Sequence, residues 1–118
     1  KGVKICCVSV GTDLVGEDGE KNIEMRLFDE KRRKIKIGDR IVFENISSGK
    51  TLKTEVLHLH FFSSFNELYQ VLPLLKCGYT AENVDFAKSS DMERFYTVEM
   101  QKKYGVVGIE LTVIQEGE

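Results

Sequence analysis

The sequence contains no apolar run that approaches the length of a membrane-spanning helix, which requires about 18 residues. Its N-terminus also lacks the basic, apolar and small-residue pattern of a secretion signal. No excess of positive charge is present, since the formal net charge is -2. A global attraction to nucleic acid is therefore excluded, and any RNA binding must come from a local patch. We predict a cytoplasmic protein without a membrane partner.

Cysteine is scarce, and several catalytic signatures are missing. Cys6, Cys7 and Cys77 are odd in number, and two neighbouring cysteines rarely form a disulfide or a zinc site. We predict reduced, mostly buried thiols, because free cysteine behaves as a small hydrophobe. No Gly-rich phosphate loop, G-x-S-x-G, H-E-x-x-H or C-x-x-C is present. The recognised nucleotide-hydrolase and protease signatures are thus absent, and we expect no cofactor and no obligatory metal.

What the chain does contain is an ordinary globular composition. It has 118 residues, of which 42% are hydrophobic and 31% charged. This balance is too apolar for a disordered chain and sufficient for a core. No internal repeat, low-complexity tract or linker divides the sequence. We therefore predict a single domain spanning residues 1–118.

Five segments carry the β-branched or alternating apolar patterns that predict strands. In the second, apolar residues at 23, 25 and 27 alternate with polar residues at 22, 24 and 26, which indicates one polar face. The turn Ser47-Ser48-Gly49 joins the third and fourth segments as a hairpin. The five segments are residues 4–10, 21–28, 40–44, 51–62 and 106–114.

Helical signals lie between the fourth and fifth strands. Ser64 and Glu67 form a capping box, and Pro73 ends the helix that follows. Thr80 can cap a second helix over residues 81–87. A further capping box, at Ser90 and Glu93, opens a helix toward Tyr104 that ends at Gly105 and can break at Thr97. Strands that flank inserted helices predict an α+β fold with a mainly antiparallel, barrel-like sheet.

A candidate site lies at the second strand. Glu24 and Arg26 are two residues apart and share one face, where a carboxylate and a guanidinium can line a cleft. Gly19 allows close approach of a ligand, and Lys21 supplies a positive charge for a phosphate or a developing negative charge. The alternative is an exposed ion pair of little energetic consequence, with Lys21 at a turn.

A basic segment follows. Five of its six residues carry positive charge, which is typical of binding to a phosphate backbone. Asp29 and Glu30 lie beside it and can cancel much of that charge, so a solvated loop is the alternative. The basic residues are Lys31, Arg32, Arg33, Lys34 and Lys36.

Histidines and aromatic residues offer weaker signals. His58 and His60 share one face of the long strand, and such a pair can ligate zinc only with a third ligand that is not evident. Packing or hydrogen bonding is the favoured role. Six aromatic residues can stack on nucleobases, although we expect them mainly to pack the helices on the sheet. They are Phe61, Phe62, Phe65, Tyr69, Phe95 and Tyr96.

Residues 19–26 read Gly-Glu-Lys-Asn-Ile-Glu-Met-Arg, and this string fits G-x-K-x-x-E-x-R. It resembles the signature of the ASCH family, and residues 27–39 and 103–110 are similar to its bacterial and archaeal members. The resemblance covers residue 19 to about residue 111, whereas residues 1–18 depart from it. It implies a PUA-like β-barrel that binds RNA or a modified nucleoside at Gly19, Lys21, Glu24 and Arg26.

The resemblance also implies an enzyme alternative, since some small members are implicated in hydrolysing acetylated cytidine or in RNA cleavage. In the amidohydrolase members the motif lysine is kept, matching Lys21, but a threonine nucleophile stands where this chain has Glu24. A substitute mechanism has Glu24 as general base, Lys21 stabilising the oxyanion, and an acid from residues 91–93. A protein-interaction module is the third alternative.

Overall fold

The computed structural model describes residues 3–8, 22–45, 49, 51–77, 79 and 81–114. In this part, the strands are β1 (Val3–Val8), β2 (Ile23–Leu27), β3 (Arg40–Asn45), β4 (Thr51–Phe62) and β5 (Val106–Val113). The α-helices are α1 (Phe65–Val71) and α2 (Val98–Tyr104). Short 3-10 helices occupy Arg32–Lys34, Leu74–Cys77, Val84–Phe86 and Ser89–Met92.

The described strands form one sheet in the order β1-β3-β4-β5-β2. Every neighbouring pair is antiparallel except β1 and β3, which run parallel. The sheet is curled into a half-barrel, and β4 carries an irregularity between Val56 and His58 in its pairing with β5. Both helices lie in sequence between β4 and β5. The predicted α+β, PUA-like architecture with helices inserted before the C-terminal strand is confirmed.

Apolar side chains cover both faces of the sheet, because residues along a strand alternate between its two sides. We call the side on which Val107, Ile109 and Leu111 of β5 pack the inner face. We call the opposite side, where the helices pack, the helix face. The buried inner-face cluster is Ile35, Ile41, Phe43, Val56, Val107, Ile109 and Leu111. The buried helix-face cluster is Ile23, Met25, Leu27, Phe65, Leu68, Leu72, Cys77 and Val106.

Helix α1 follows the predicted signals closely. The Ser64 hydroxyl accepts a hydrogen bond from the Glu67 backbone N–H at 3.2 Å, as an N-cap should. The Glu67 carboxylate accepts from the N–H of Ser63, one residue before the position that a capping box predicts. The helix ends at Leu72, immediately before Pro73. The prediction of this helix and its termini is confirmed.

The prediction of a helix over residues 81–87 is wrong. That segment contains turns and the 3-10 helix Val84–Phe86, and most of its side chains are exposed. A helix of this length needs an apolar face packed against the core, because an isolated short helix is only marginally stable in water. Thr80, its predicted cap, lies outside the described residues.

The predicted third helix begins later than its first capping box. Residues 89–92 form a 3-10 helix instead, and α2 starts after Thr97, whose hydroxyl accepts from the Met100 N–H at 3.2 Å. The possible break at Thr97 is therefore where the α-helix begins. Gly105 ends α2 with a positive φ of 76°, a conformation that suits glycine.

Gln101 of α2 fastens this helix to the start of α1. Its Oε1 accepts a hydrogen bond from the Phe65 backbone N–H at 3.0 Å, and its Nε2 donates to the Tyr96 carbonyl at 3.1 Å. Both Gln101 and Phe65 are buried. A buried amide group is costly to leave without a partner, so this side chain helps to fix both helices on the sheet.

Replacing Gln101 by leucine should lower the free energy of unfolding by about 1–3 kcal/mol, because the Phe65 N–H would lose its buried acceptor. Urea unfolding of the purified variant measures this change. Gln70 is exposed on α1, and its replacement by leucine provides a matched control that should stay near the parent. Equal stability of the two variants would contradict the role given to Gln101.

Candidate functional site

The motif strand β2 places Glu24 and Arg26 together on the inner face. In the register of the sheet, Glu24 lies opposite Ile109 and Arg26 opposite Val107. The Arg26 Nη2 atom is 2.7 Å from Glu24 Oε2, and Arg26 Nη1 donates to the Met25 carbonyl at 3.0 Å. The two side chains thus form an ion pair, as the spacing predicts.

The two members of this pair differ in exposure. Glu24 is 2% exposed, whereas Arg26 is 21% exposed. A carboxylate among apolar neighbours is stable as an anion only with a cation or donors beside it, and Arg26 supplies both. Glu24 in turn holds the guanidinium in one orientation. The polar side of β2 is therefore a largely covered charged pair on the inner face, not a solvated surface.

Arg26 retains capacity to bind a ligand. A guanidinium carries five N–H donors, and the contacts with Glu24 and Met25 occupy two of them. Within the described residues, no further hydrogen bond or ion pair engages its other donors. Such a planar fork matches the geometry of a phosphate or the edge of a base.

Asn22 is a further polar residue on this side of β2, and the sequence reasoning did not select it. Its backbone N–H donates to the Lys76 carbonyl at 3.0 Å, and its carbonyl accepts from Leu111 at 2.8 Å. Its Oδ1 atom is buried and has no hydrogen-bond partner among the described residues. Strand alternation places it beside Glu24, and that alternation was the signal available in the sequence.

Two predicted ligand-binding residues, Gly19 and Lys21, lie outside the described residues. Their roles, including the catalytic alternative for Lys21, stay predictions. So does the ligand-binding role of Glu24 and Arg26, although their contact with each other is present.

The basic segment forms a turn between β2 and β3 that is fixed at several points. Arg32 is paired with Asp29, whose carboxylate lies 3.0 Å from the guanidinium. The buried side chain of Ile35 anchors the turn in the inner-face cluster. The Asp39 carboxylate accepts from the Lys36 backbone N–H at 2.9 Å. The expected charge cancellation thus applies to Arg32. The exposed cations are Lys31, Arg33, Lys34 and Lys36.

An aromatic pair lies beside this turn. The rings of Phe28 and Phe61 are 4.9 Å apart in an edge-on arrangement. The Arg33 guanidinium lies 4.5 Å from the centre of the Phe28 ring, a cation–π contact. In the register of the sheet, Val107 of β5 lies between Phe61 of β4 and Arg26 of β2. The basic turn, the aromatic pair and Arg26 therefore share the inner side of the sheet.

His58 and His60 lie on the helix face of the sheet, the side away from Glu24 and Arg26. His60 lies opposite Gly108, and a side chain at Gly108 would meet Leu72 and Ile23 of the helix-face cluster. The His60 Nε2 atom is 2.9 Å from Glu110 Oε1, so the favoured hydrogen-bonded role applies to His60. Among the described residues, no group of three or more His, Cys, Asp or Glu side chains could hold a metal ion.

A chain of hydrogen bonds on the helix side includes Asp91. The Tyr69 and Tyr79 hydroxyls are 2.7 Å apart, and Tyr79 donates to Asp91 Oδ2 at 2.7 Å. Burial raises the pKa of Tyr79 well above its usual range. The hydrogen bond from Tyr79 lowers the pKa of Asp91. Asp91 is thus ionised at neutral pH and is poorly suited to the acid role proposed for residues 91–93.

Two further predictions concern the cysteines and the length of the helices. Cys77 is a buried thiol that forms no disulfide with another described residue, as predicted. Cys6 and Cys7 belong to β1, but their side chains lie outside the described residues. Among the described helices, none is both long and apolar enough to span a membrane.

The class of protein follows from this geometry: a small α+β fold whose curled sheet carries a charged pair on its inner side. The ASCH domain model matches residues 17–115. The crystal structure of hypothetical protein PH0355 is similar, with 36% identity, a TM-score of 0.73, and coverage of 97% of this chain and 100% of that one. The chain belongs to the ASCH family.

A second similar structure is the solution structure of protein PF0455 from Pyrococcus furiosus. It is 33% identical, with a TM-score of 0.64, and the match covers 96% of this chain and 98% of that one. No curated protein matches the chain. Membership of the ASCH family supports an RNA-binding or related function.

Proposed function

We propose that this protein binds RNA or a modified nucleoside on the inner side of its sheet, at the Glu24–Arg26 pair. The observation that carries the proposal is the asymmetry of this pair. Glu24 is buried and holds Arg26, while part of the guanidinium remains accessible. Because the buried Glu24 carboxylate holds the Arg26 guanidinium in one orientation, its donors are fixed before a ligand arrives. Fixed donors favour specific binding.

In this proposal each side chain has a separate part. Arg26 donates to a phosphate oxygen or to the edge of a base. Glu24 positions Arg26, and the unpartnered Oδ1 of Asn22 is available as an acceptor for an amino or hydroxyl group of the ligand. Gly19 and Lys21 precede this strand in the sequence and are proposed to complete the site through close approach and positive charge.

The basic turn contributes the electrostatic part of the interaction. Lys31, Lys34 and Lys36 are exposed, and the turn is held by Asp39 and Ile35, so its cations project from a fixed backbone. Each cation that neutralises a phosphate releases condensed counterions, which makes the affinity depend on salt concentration. We therefore propose that the turn contacts the phosphates of an RNA strand whose base or sugar reaches Arg26.

Binding is favoured over the hydrolase alternative by two observations. Glu24 is 2% exposed and lies 2.7 Å from Arg26, so its carboxylate has little access to a water molecule that a general base must activate. Asp91 belongs to the helix side of the sheet and holds a lowered pKa. Among the described residues, Glu24 and Asp91, the base and an acid of that alternative, thus lie on opposite sides of the sheet. We expect no release of acetate from acetylated cytidine, and release that depends on Lys21 would contradict this expectation.

Binding can be tested by fluorescence anisotropy with a short single-stranded RNA and by calorimetry with acetylated cytidine. The informative variant is Glu24→Gln with Arg26→Gln, because it removes both charges and strands neither. It should bind at least one of the two ligands about tenfold or more weakly than the parent.

The matched control is His60→Gln with Glu110→Gln, which removes a hydrogen-bonded pair of similar length on the opposite face. It should bind like the parent. Equal affinities of both double variants and the parent would rule out a ligand at Glu24 and Arg26.

A further inference from the structure

We propose that Phe61 is a stacking platform for one unpaired base of a single-stranded RNA, flanked by two guanidinium groups that contact the adjoining phosphates. The inference rests on the proposed function and identifies its ligand as an unpaired nucleotide rather than a duplex.

The first observation is the exposure of Phe61 on a face whose residues are mostly buried. Its ring is 55% exposed, whereas Val107, its neighbour across the strand pair, is 1% exposed. The cause lies in the topology. Strand β3 pairs with β4 at residues 51–55, so the last residues of β4 extend beyond β3 and pair with β5. The ring is thereby left at the open end of the sheet.

The second observation is that the ring is held in place. The edge-on contact with Phe28 at 4.9 Å limits its rotation, and Phe28 is itself partly buried against the inner-face cluster. The Arg33 guanidinium covers the Phe28 ring at 4.5 Å. A pre-oriented ring loses little conformational entropy when a base stacks on it. Aromatic rings stack on every base because each base has a π-face.

The third observation is the charge around the ring. Arg33 belongs to the basic turn and contacts Phe28, and Arg26 lies two strands away on the same face as Phe61. Neighbouring strands are about 4.8 Å apart, so the backbones at Arg26 and Phe61 are separated by about 10 Å. A nucleotide is long enough to contact both. Positive groups on two sides of an aromatic ring complement a base with its flanking phosphates.

An exposed aromatic ring is not by itself evidence of a binding site. Phe95 is an exposed ring whose surroundings do not suit RNA. Phe95 is 63% exposed and lies near Arg94, its chain neighbour, at 5.5 Å. Its segment packs on the helix face and carries Asp91 and Glu93, whose negative charges repel a phosphate backbone. Phe95 is therefore a control that matches Phe61 in ring type, exposure and a nearby arginine.

The test uses a single-stranded RNA that carries 2-aminopurine, whose fluorescence is quenched when it stacks. The protein has no tryptophan, so its own fluorescence does not obscure the probe. Binding by the parent should quench the probe. Phe61→Leu keeps apolar bulk but removes the ring, and it should abolish the quenching and weaken binding about tenfold. Phe95→Leu should change neither.

The outcomes separate the two proposals. RNA binding that is quenched equally in the parent and in Phe61→Leu would overturn the stacking proposal and leave the proposed function standing, as would binding without quenching in the parent. Binding of double-stranded RNA as tight as that of the single strand would overturn the unpaired ligand. Absence of any RNA binding by the parent would overturn the stacking proposal, and absence of binding to acetylated cytidine as well would overturn the proposed function.

Discussion

Replacing Arg26 by alanine should lower the free energy of unfolding by about 3 kcal/mol, because it removes the cation that neutralises a buried carboxylate. The Arg26 guanidinium is 2.7 Å from Glu24, which is almost fully buried. Glu24→Gln should cost less, since Arg26 is partly exposed and water can solvate its charge. Urea denaturation at neutral pH gives both values.

The double variant Glu24→Gln with Arg26→Gln should be more stable than the sum of the two single glutamine variants predicts. Neither charge is stranded in it, and residues in direct contact show such non-additive effects. Arg32→Ala is the matched control, because Arg32 is about as exposed as Arg26 but its partner Asp29 is 28% exposed, whereas Glu24 is 2% exposed. It should cost less than about 1 kcal/mol. Additive effects, and equal losses for Arg26→Ala and Arg32→Ala, would show that the Glu24–Arg26 pair is an ordinary surface ion pair.

The second large expected effect concerns the salt dependence of RNA binding. Changing Lys31, Lys34 and Lys36 to alanine should weaken RNA binding across sequences. It should also reduce the magnitude of the slope of log affinity against log salt concentration by about 2. The value corresponds to three lost phosphate contacts on a single strand. These side chains are exposed and the turn's other anchors are unchanged, so the fold should be retained.

A triple variant with the same net charge controls for non-specific electrostatics. Lys88, Arg94 and Lys102 are exposed and belong to the segment that runs from the 3-10 helices into α2. Their replacement by alanine should leave the salt dependence close to that of the parent. If both triple variants change the slope equally, the turn has no special part in binding.

The sequence predicted the fold where local signals and tertiary packing agree. Ser64 with Pro73 delimits α1, and Gly105 ends α2, because caps and breakers act on neighbouring residues. The strand positions also follow from apolar alternation. The predicted helices after residue 80 were wrong or too long, because capping signals alone do not supply the buried face that a short helix needs.

Only part of the candidate site could be predicted from the sequence. The spacing of Glu24 and Arg26 predicted their contact, because two residues on one side of a strand are neighbours. The burial of Glu24 was not predictable, since it depends on Ile109 and Val107 of a strand more than 80 residues away in the chain. The association of Phe28, Phe61 and Arg33 depends on the same long-range pairing, and no local pattern indicates it.

The central claim is that RNA or a nucleoside binds on the inner side of the sheet, and backbone amide chemical shifts test it most directly. Titration of the labelled protein with a short single-stranded RNA, and separately with acetylated cytidine, should shift the signals of Arg26, Val107 and Phe61 in a saturable way. Signals of α1, which packs on the opposite face, should move little. Saturable shifts confined to α1 and residues 84–95, or none with either ligand, would contradict the claim.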